Sequence, residues 1–344
     1  MSYQSTSSLI ATIGIDVGKN TFHLVGLDQR GAIVLQLKTS RDQLGRRLAN
    51  LPRCLIGMEA CSGTHHIGRQ LTALGHDVRL IPAQYVKPFL KGHKNDYRDA
   101  EAIAEAVQRP TMSFVTIKTP EQMDLLALHR VRSRLISLRT GVINQIRGFL
   151  IERGITVRQQ PAALRKALVD ILSSSPSALS PRMVQLIADL SEDWRRLDDR
   201  IATVSAEIEA LVEEDGHCQR LMTIPGIGPI ISSAVVAAIG DGAGFKQGRD
   251  FGAWLGLVPR QQSTGDRTIL GRISKRGNKY LRTLFVQAAH VILARRPSAA
   301  MRVFGLGSRR PQNGSIATCW RSLSPTSSLV SLGRYSLVAG SISR

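Results

Sequence analysis

Long apolar runs are missing from this chain of 344 residues. No stretch approaches the roughly 20 residues that cross a bilayer as a helix. The opening "MSYQSTSSLI" has neither a basic n-region nor a long apolar h-region, so no signal peptide is expected. Cysteines are few. Cys54, Cys61, Cys218 and Cys319 show neither disulfide-framework nor zinc-site spacing, which makes a reduced, cytoplasmic protein the expectation. No Walker loop, dinucleotide fingerprint or HExxH appears, so these nucleotide, dinucleotide and zinc-protease chemistries have no signal. Acidic residues run out as well: none follows Asp266, while fourteen Lys or Arg do.

What is present is positive charge and ordinary apolar content. Lys and Arg number 46 against 26 acids, a net charge of +20, and 43% of residues are hydrophobic. The length suits about two or three domains with real cores. A field of this sign favours a polyanion, nucleic acid first. Charge alone does not separate a DNA enzyme from a ribosomal-type RNA binder or a solubilising surface.

Hydropathy patterning changes twice along the chain. Residues 11–36 alternate short apolar runs and turns, predicting three antiparallel strands. Helix, strand, helix, strand and helix follow, with "RCLIGMEA" as a buried strand and "THHIGRQLTALG" as a helix. The pattern predicts a three-layer α/β domain with a mixed sheet over residues 11–118. From 119 to 216 the period becomes helical. Leu125, Leu128, Leu135, Leu138, Val142 and Phe149 form one stripe. After the break "ILSSSPSALSPR", Met183, Ile187, Leu190, Trp194, Leu197, Ile201, Val204, Ile208 and Leu211 form a heptad stripe. This predicts a long antiparallel coiled-coil hairpin, with Arg130, Arg132, Arg134, Arg139 and Arg147 available to a phosphate backbone. Residues 217–300 read as a mostly α-helical third unit, and 301–344 as a tail without period.

Three constellations carry chemistry. Asp16 ends the first strand, Glu59 ends "CLIGME", and Asp96 and Asp99 open an alanine-rich helix on one face. Read singly, Asp16 and Glu59 are turn residues and Asp96 is an N-cap. Read together, four carboxylates at strand and helix ends form an oxygen-ligand site for Mg²⁺ or Mn²⁺, and two such ions can clamp the oxygens of a phosphodiester. The segment "IPGIGPIISSAV" resembles the turn of a helix-hairpin-helix, in which backbone N–H groups at Gly226 and Gly228 would grip a phosphate. Finally, "LVPRQQSTGDRTILGRISKRGNKYLR" reads as a polar loop followed by a basic loop. Arg260, Arg267, Arg272, Lys275, Arg276 and Lys279 surround a hydroxyl cluster with no adjacent histidine. From these residues alone a nucleic-acid-binding loop is the plainer reading, with serine attack on a phosphate the sharper one. His65 and His66 read as residues near a helix start, with metal ligation the alternative.

In combination, "IGIDVGKNTFHL", "GMEACSGTHHIGRQLTALGHDVRLIPAQYVKPF", "KNDYRDAEAIAEAVQRP", "IPGIGPIISSAVVAAIGDGAGFKQGRDFGAWLGLVPRQQSTG" and "GRISKRGNKYLRTLF" resemble the insertion-sequence-110 family of transposases, in the branch named after insertion sequence 1111. The resemblance runs in order over roughly residues 11–300. It implies a RuvC-like, RNase H-type domain with a D-E-D-D set at Asp16, Glu59, Asp96 and Asp99, a coiled-coil insertion, and a transposase domain whose nucleophile matches Ser263, with Thr264 as its neighbour. It further implies a covalent phosphoserine link to DNA, a structured bridge RNA that selects the sites, a homodimer or tetramer, and a nucleoid-associated place of work. The tail departs from the family's alanine-rich last helix. Shifting the frame of permitted codons restores a helical string, which predicts a frameshift near residues 303–308. The other readings are a RuvC-like nuclease using metal-activated water and an inactive nucleic-acid-binding remnant.

Overall fold

Alternating apolar residues build a five-stranded sheet at the start of the chain, in the computed structural model that describes residues 10–92, 95–174 and 178–295. The elements are β1 (Thr12–Val17), β2 (Thr21–Leu27), β3 (Ile33–Ser40), α1 (Arg41–Ala49), β4 (Leu55–Glu59), α2 (Thr64–Ala73), β5 (Asp77–Ile81), the short α3 (Ala83–Val86) and α4 (Asp96–Val107). The strand order is β3-β2-β1-β4-β5. β1, β2 and β3 are antiparallel neighbours, while β4 and β5 run parallel to β1. This is the mixed sheet that the patterning predicts.

The period of two sorts the sheet's faces. Ile13, Ile15, Phe22, Leu24, Ile56 and Met58 pack beneath Leu44 and Leu48 of α1 and Ile67 and Leu71 of α2. On the opposite face Val25, Leu27 and Ile81 meet Ala100, Ala104, Ile103 and Val107 of α4. Two glycines make that second contact close. A Cβ at Gly14 would fall inside the backbone of Ala100 and Ala104, and one at Gly57 would lie 2.8 Å from Cβ of Val107. Gly14 and Gly57 are register partners across β1 and β4, so α4 lies in a flat trough between two strands. α4 begins at Asn95, whose side chain accepts from the Tyr97 N–H. The cap is therefore Asn95, and Asp96 is left free of that duty.

The chain divides into two compact units at Pro120/Glu121. The second holds α5 (Pro120–Ile151), α6 (Pro161–Ser174), α7 (Pro181–Glu214), α8 (Gly216–Met222), α9 (Pro229–Ile239), α10 (Gly248–Trp254), β6 (Pro259–Thr264), β7 (Arg267–Ile273) and α11 (Lys279–Arg295). α5 and α7 run antiparallel: Arg132 donates to Ser205 and Arg139 pairs with Asp198. Ile187, Trp194, Ile201 and Ile208 of α7 are buried at seven-residue spacing. Three differences from the sequence reading stand out. α6 is a helix the sequence reading did not assign. It lies before the break read at 171–182 and overlaps only its first residues; Pro161 starts it, and Leu164, Leu168 and Ile171 give it an apolar stripe. That third helix draws Ile143, Ile146 and Leu150 of α5 inward, while Leu138 and Leu211 of the expected stripes are exposed. Of the five α5 arginines, Arg132, Arg139 and Arg147 are committed to Ser205, Asp198 and the Arg158 carbonyl. Arg130 and Arg134 stay exposed. The expected frameshifted tail, 301–344, lies outside the described residues.

A buried polar chain ties three of these helices. His129 of α5 is 2% exposed. Its Nδ1 lies 3.1 Å from the Tyr280 hydroxyl of α11, and its Nε2 lies 3.0 Å from Ser233 Oγ of α9. Ser233 donates onward to the Pro229 carbonyl, so its oxygen accepts from Nε2–H and Nδ1 accepts from Tyr280. A neutral ring satisfies every bond. Burial, aided by Arg132, pushes the His129 pKa down to about 4.

Two outcomes follow from this packing. Gly14→Ala should cost about 1–3 kcal/mol through overpacking, read as a lower urea midpoint. Gly45→Ala, in α1 with open space around its Cβ, should instead gain about 0.5–1 kcal/mol. For His129 the folded pKa lies below the unfolded value. Its contribution is therefore complete above pH 6.5 and is lost as pH falls toward 4. Stability followed by Trp194 and Trp254 fluorescence should fall over that window in the wild type, and His129→Gln should reduce the dependence, leaving the share of His65, whose pKa is also lowered to about 4.

Candidate functional site

The same period of two that seats α4 also aims the acids. Gly14 and Gly57 face α4, so Asp16 and Glu59, two residues further along each strand, project on that face. Both stand at the ends of neighbouring parallel strands, and the first turn of α4 brings Asp96 close to Asp16. Asp16 is half-buried and its pKa is raised. Burial is the main cause, followed by the negative charges of Asp99 and Asp96 and then by Glu59, with His23 acting in the opposite sense. The carboxylate of Asp16 thus feels all three other acids; of these, Asp96 joins it in a close cluster, while Asp99 and Glu59 act on it by charge from outside that cluster.

Four clustered carboxylates repel one another. Placing Asp96 and Asp99 at a helix N-terminus offsets part of this, because the helix dipole is positive there. A divalent cation would reverse the remainder, and the donor set of hard oxygens fits Mg²⁺ or Mn²⁺. Among the described residues, one atom each of Asp16, His23 and Asp96 lie within 4.8 Å of one another.

His23 was missed by the sequence reading. It sits directly opposite Asp16 across the β1–β2 pair, and its Nδ1 is 3.5 Å from Asp96 Oδ2. Its ring meets Tyr97 edge-on, with centroids 5.0 Å apart. A hairpin register counted outward from the Gly18–Lys19–Asn20 turn would have found it. Arg41 was missed too. It donates to the Gly18 and Lys19 carbonyls and lies 4.9 Å over the Phe22 ring, pinning the turn that separates Asp16 from His23. His65 is a packing residue: its Nδ1 accepts from the Lys118 N–H, and burial lowers its pKa to about 4.

In the second unit, the segment expected as loops is a hairpin. Gly265–Asp266 links β6 to β7, with Gly265 at φ +56°. Gly at the first turn position of a two-residue loop is a hairpin signal that the sequence reading passed over. Ser263 pairs with Thr268 and Thr264 with Arg267, so Ser263 and Thr264 point to opposite faces. The Ser263 hydroxyl accepts from Gln261 Nε2 at 2.9 Å and lies 3.5 Å from Thr268 Oγ1. Every residue from Arg260 to Arg272 is exposed, and so are Lys275, Arg276 and Lys279. The base of the hairpin is fixed by two glycines. A Cβ at Gly256 would strike the backbone of Arg276, and one at Gly277 the carbonyl of Trp254. Lys275 is held with φ +54° by its N–H bond to the Gly256 carbonyl. At the other glycine motif, Ile224, Pro225, Gly226 and Ile227 form a turn between α8 and α9, closed by Ile227 N–H to the Ile224 carbonyl. Gly226 sits at φ +85° and is exposed, and Gly228 caps α9.

Among the described residues no helix is long and apolar enough to cross a membrane. Residues 13–153 match a transposase family described by the D-E-D-D name and insertion sequence 110, and residues 218–304 match the transposase family of insertion sequences IS116, IS110 and IS902. A probable family 20 transposase of Pseudomonas aeruginosa is 43% identical over 88% of this chain and 91% of its own length. The transposase for insertion sequence element IS1328 of Yersinia enterocolitica is 43% identical over 83% of this chain and 85% of its own. The transposase for IS1111A of Coxiella burnetii is 39% identical over 83% and 78%.

The raised pKa of Asp16 has a sign that can be tested. Its folded state holds the proton more tightly than the unfolded state, so this group favours folding at acid pH and opposes it as pH rises through the carboxylate range. Without divalent ions at neutral pH, Asp16→Asn should melt above the wild type in scanning fluorimetry. With Mn²⁺ the wild type should gain stability and the variant should lose most of that gain.

Proposed function

The chain belongs to the IS116/IS110/IS902 transposase family, and on that premise we propose that it moves an insertion sequence by metal-assisted attack of Ser263 on DNA, with a structured bridge RNA choosing the sites. The observation that carries the reading is the convergence of Asp16 and Asp96 at one end of the mixed sheet, with Asp99 and Glu59 acting on Asp16 by charge. That convergence supports a RuvC-like, RNase H-type metal domain over residues 11–118.

The acids would hold Mg²⁺ or Mn²⁺, which supplies Lewis-acid stabilisation of phosphate charge when bound. Ser263 stands on an exposed, glycine-anchored hairpin, and its hydroxyl already accepts one hydrogen bond, from Gln261. In the step proposed, Ser263 Oγ bonds to phosphorus and loses its proton to solvent. One deoxyribose oxygen leaves and takes up a proton. The phosphoserine keeps the energy of the broken ester, so rejoining needs no external source. Arg260, Arg267, Arg272, Lys275, Arg276 and Lys279 place cations around that phosphate. The Gly226–Gly228 turn reads as a helix-hairpin-helix-like backbone grip on duplex DNA. The pair of α5 and α7 reads as the coiled-coil insertion of 119–216, with residues 217–300 as the transposase domain. A net +20 suits a protein that holds both DNA and RNA by backbone and shape while base pairing reads sequence. Assembly as a homodimer or tetramer at the nucleoid completes the proposal.

The test is a protein–DNA adduct that survives denaturation. Wild type should form one with an element-end duplex, its bridge RNA and Mg²⁺. Ser263→Ala should lose it, with strand exchange falling by at least ~100-fold, and Thr264→Ala should keep it. DNA cleavage with no adduct, undiminished in Ser263→Ala, would instead establish the metal-activated-water nuclease.

A further inference from the structure

The row of side chains on the α4 face of the sheet does not stop at the acids. β2 lies beside β1, and the residue of β2 in line with Asp16 and Glu59 is His23. Its side chain is 13% exposed and is wedged between Asp96 and the edge of Tyr97. Nδ1 points at Asp96 Oδ2, and the separation of 3.5 Å is longer than a good hydrogen bond. Three donor atoms within 4.8 Å of one another leave a point about 2.8 Å or less from each. A few tenths of an ångström of contraction brings this to the roughly 2.1–2.3 Å of a divalent transition-metal ion bound to nitrogen and oxygen.

We propose that His23 is a nitrogen ligand of the metal centre, sharing an ion with Asp16 and Asp96, and that this O,N donor set makes the site prefer Mn²⁺ over Mg²⁺. The inference rests on the metal reading of the four acids and adds to it a fifth residue and a choice of ion. Mg²⁺ favours oxygen donors and retains its waters, whereas imidazole binds first-row transition ions well. Pairing across β1 and β2 holds the ring in place, Arg41 fixes the turn between the two strands, and Tyr97 limits its rotation.

The experiment is pulsed electron paramagnetic resonance of Mn²⁺ bound to the full chain, paired with calorimetric titration of each ion. The wild type should show ¹⁴N coupling to Mn²⁺ that changes to ¹⁵N coupling on ¹⁵N-histidine labelling. His23→Gln should abolish the coupling and weaken Mn²⁺ by about 10–100-fold, with Mg²⁺ changed by less than about three-fold. His23→Asp restores an oxygen donor and guards against simple misfolding. It should bind Mg²⁺ at least as well as the wild type and show no ¹⁴N coupling. Mn²⁺ bound in the wild type without nitrogen coupling would overturn the proposal and leave a carboxylate-only centre. Equal loss of both ions in His23→Gln would also overturn it, making His23 a residue that orients Asp96. No binding of either ion to the wild type would sink the metal reading itself along with this inference.

Discussion

The contact of α4 with two glycines is the constraint on which the first unit depends. At Gly14 and Gly57 the sheet has no side chains to hold the helix off, so Ala100, Ala104 and Val107 come down onto strand backbone. Interiors packed at this density transmit position rather than absorb it. Because strand side chains alternate, a strand that presents glycine to α4 presents its next-but-one residue to the same helix. Gly-Ile-Asp and Gly-Met-Glu thus act as paired devices: the glycine seats the helix and the acid meets its first turn. With larger residues at 14 or 57, Asp96 and Asp99 would be displaced from Asp16 and Glu59.

That geometry is electrostatically uncomfortable by design. Asp16 is half-buried, and burial first, then the charges of Asp99, Asp96 and Glu59, raise its pKa. Strain of this kind at a cluster of acids is what a cation relieves, and functional sites are where such perturbation concentrates. The second unit solves a different problem. Its hairpin is exposed from Arg260 to Arg272, carries cations, and is anchored by the backbone approaches at Gly256 and Gly277. The first unit gathers carboxylates at one sheet end, and the second spreads exposed cations along and beyond its hairpin.

Much of this was legible in the chain, and the failures have physical reasons. The mixed sheet could be read because its strands carry clean alternation, and the acids because each ends a buried strand or opens a helix. His23 was not legible as a site residue. Its role depends on pairing register, which the hydrophobic pattern alone does not place opposite Asp16. α6 was hidden because serine and proline at its edges outweighed the apolar stripe of Leu164, Leu168 and Ile171. The β6–β7 hairpin was hidden because both of its faces are exposed, so its strands lack the apolar-polar alternation that marks a half-buried sheet. Its Gly265–Asp266 turn was the available sign. The cations of α5 were over-read, since composition cannot distinguish Arg139, paired with Asp198, from Arg134, which is exposed.

The central claim is that the seating of α4 builds a divalent-metal centre from Asp16, Glu59, Asp96 and Asp99. An anomalous difference map from crystals of the full chain grown with Mn²⁺ tests it most directly. The account predicts a strong peak enclosed by these four carboxylates. Density showing them splayed into solvent, with manganese bound elsewhere or nowhere, would contradict it.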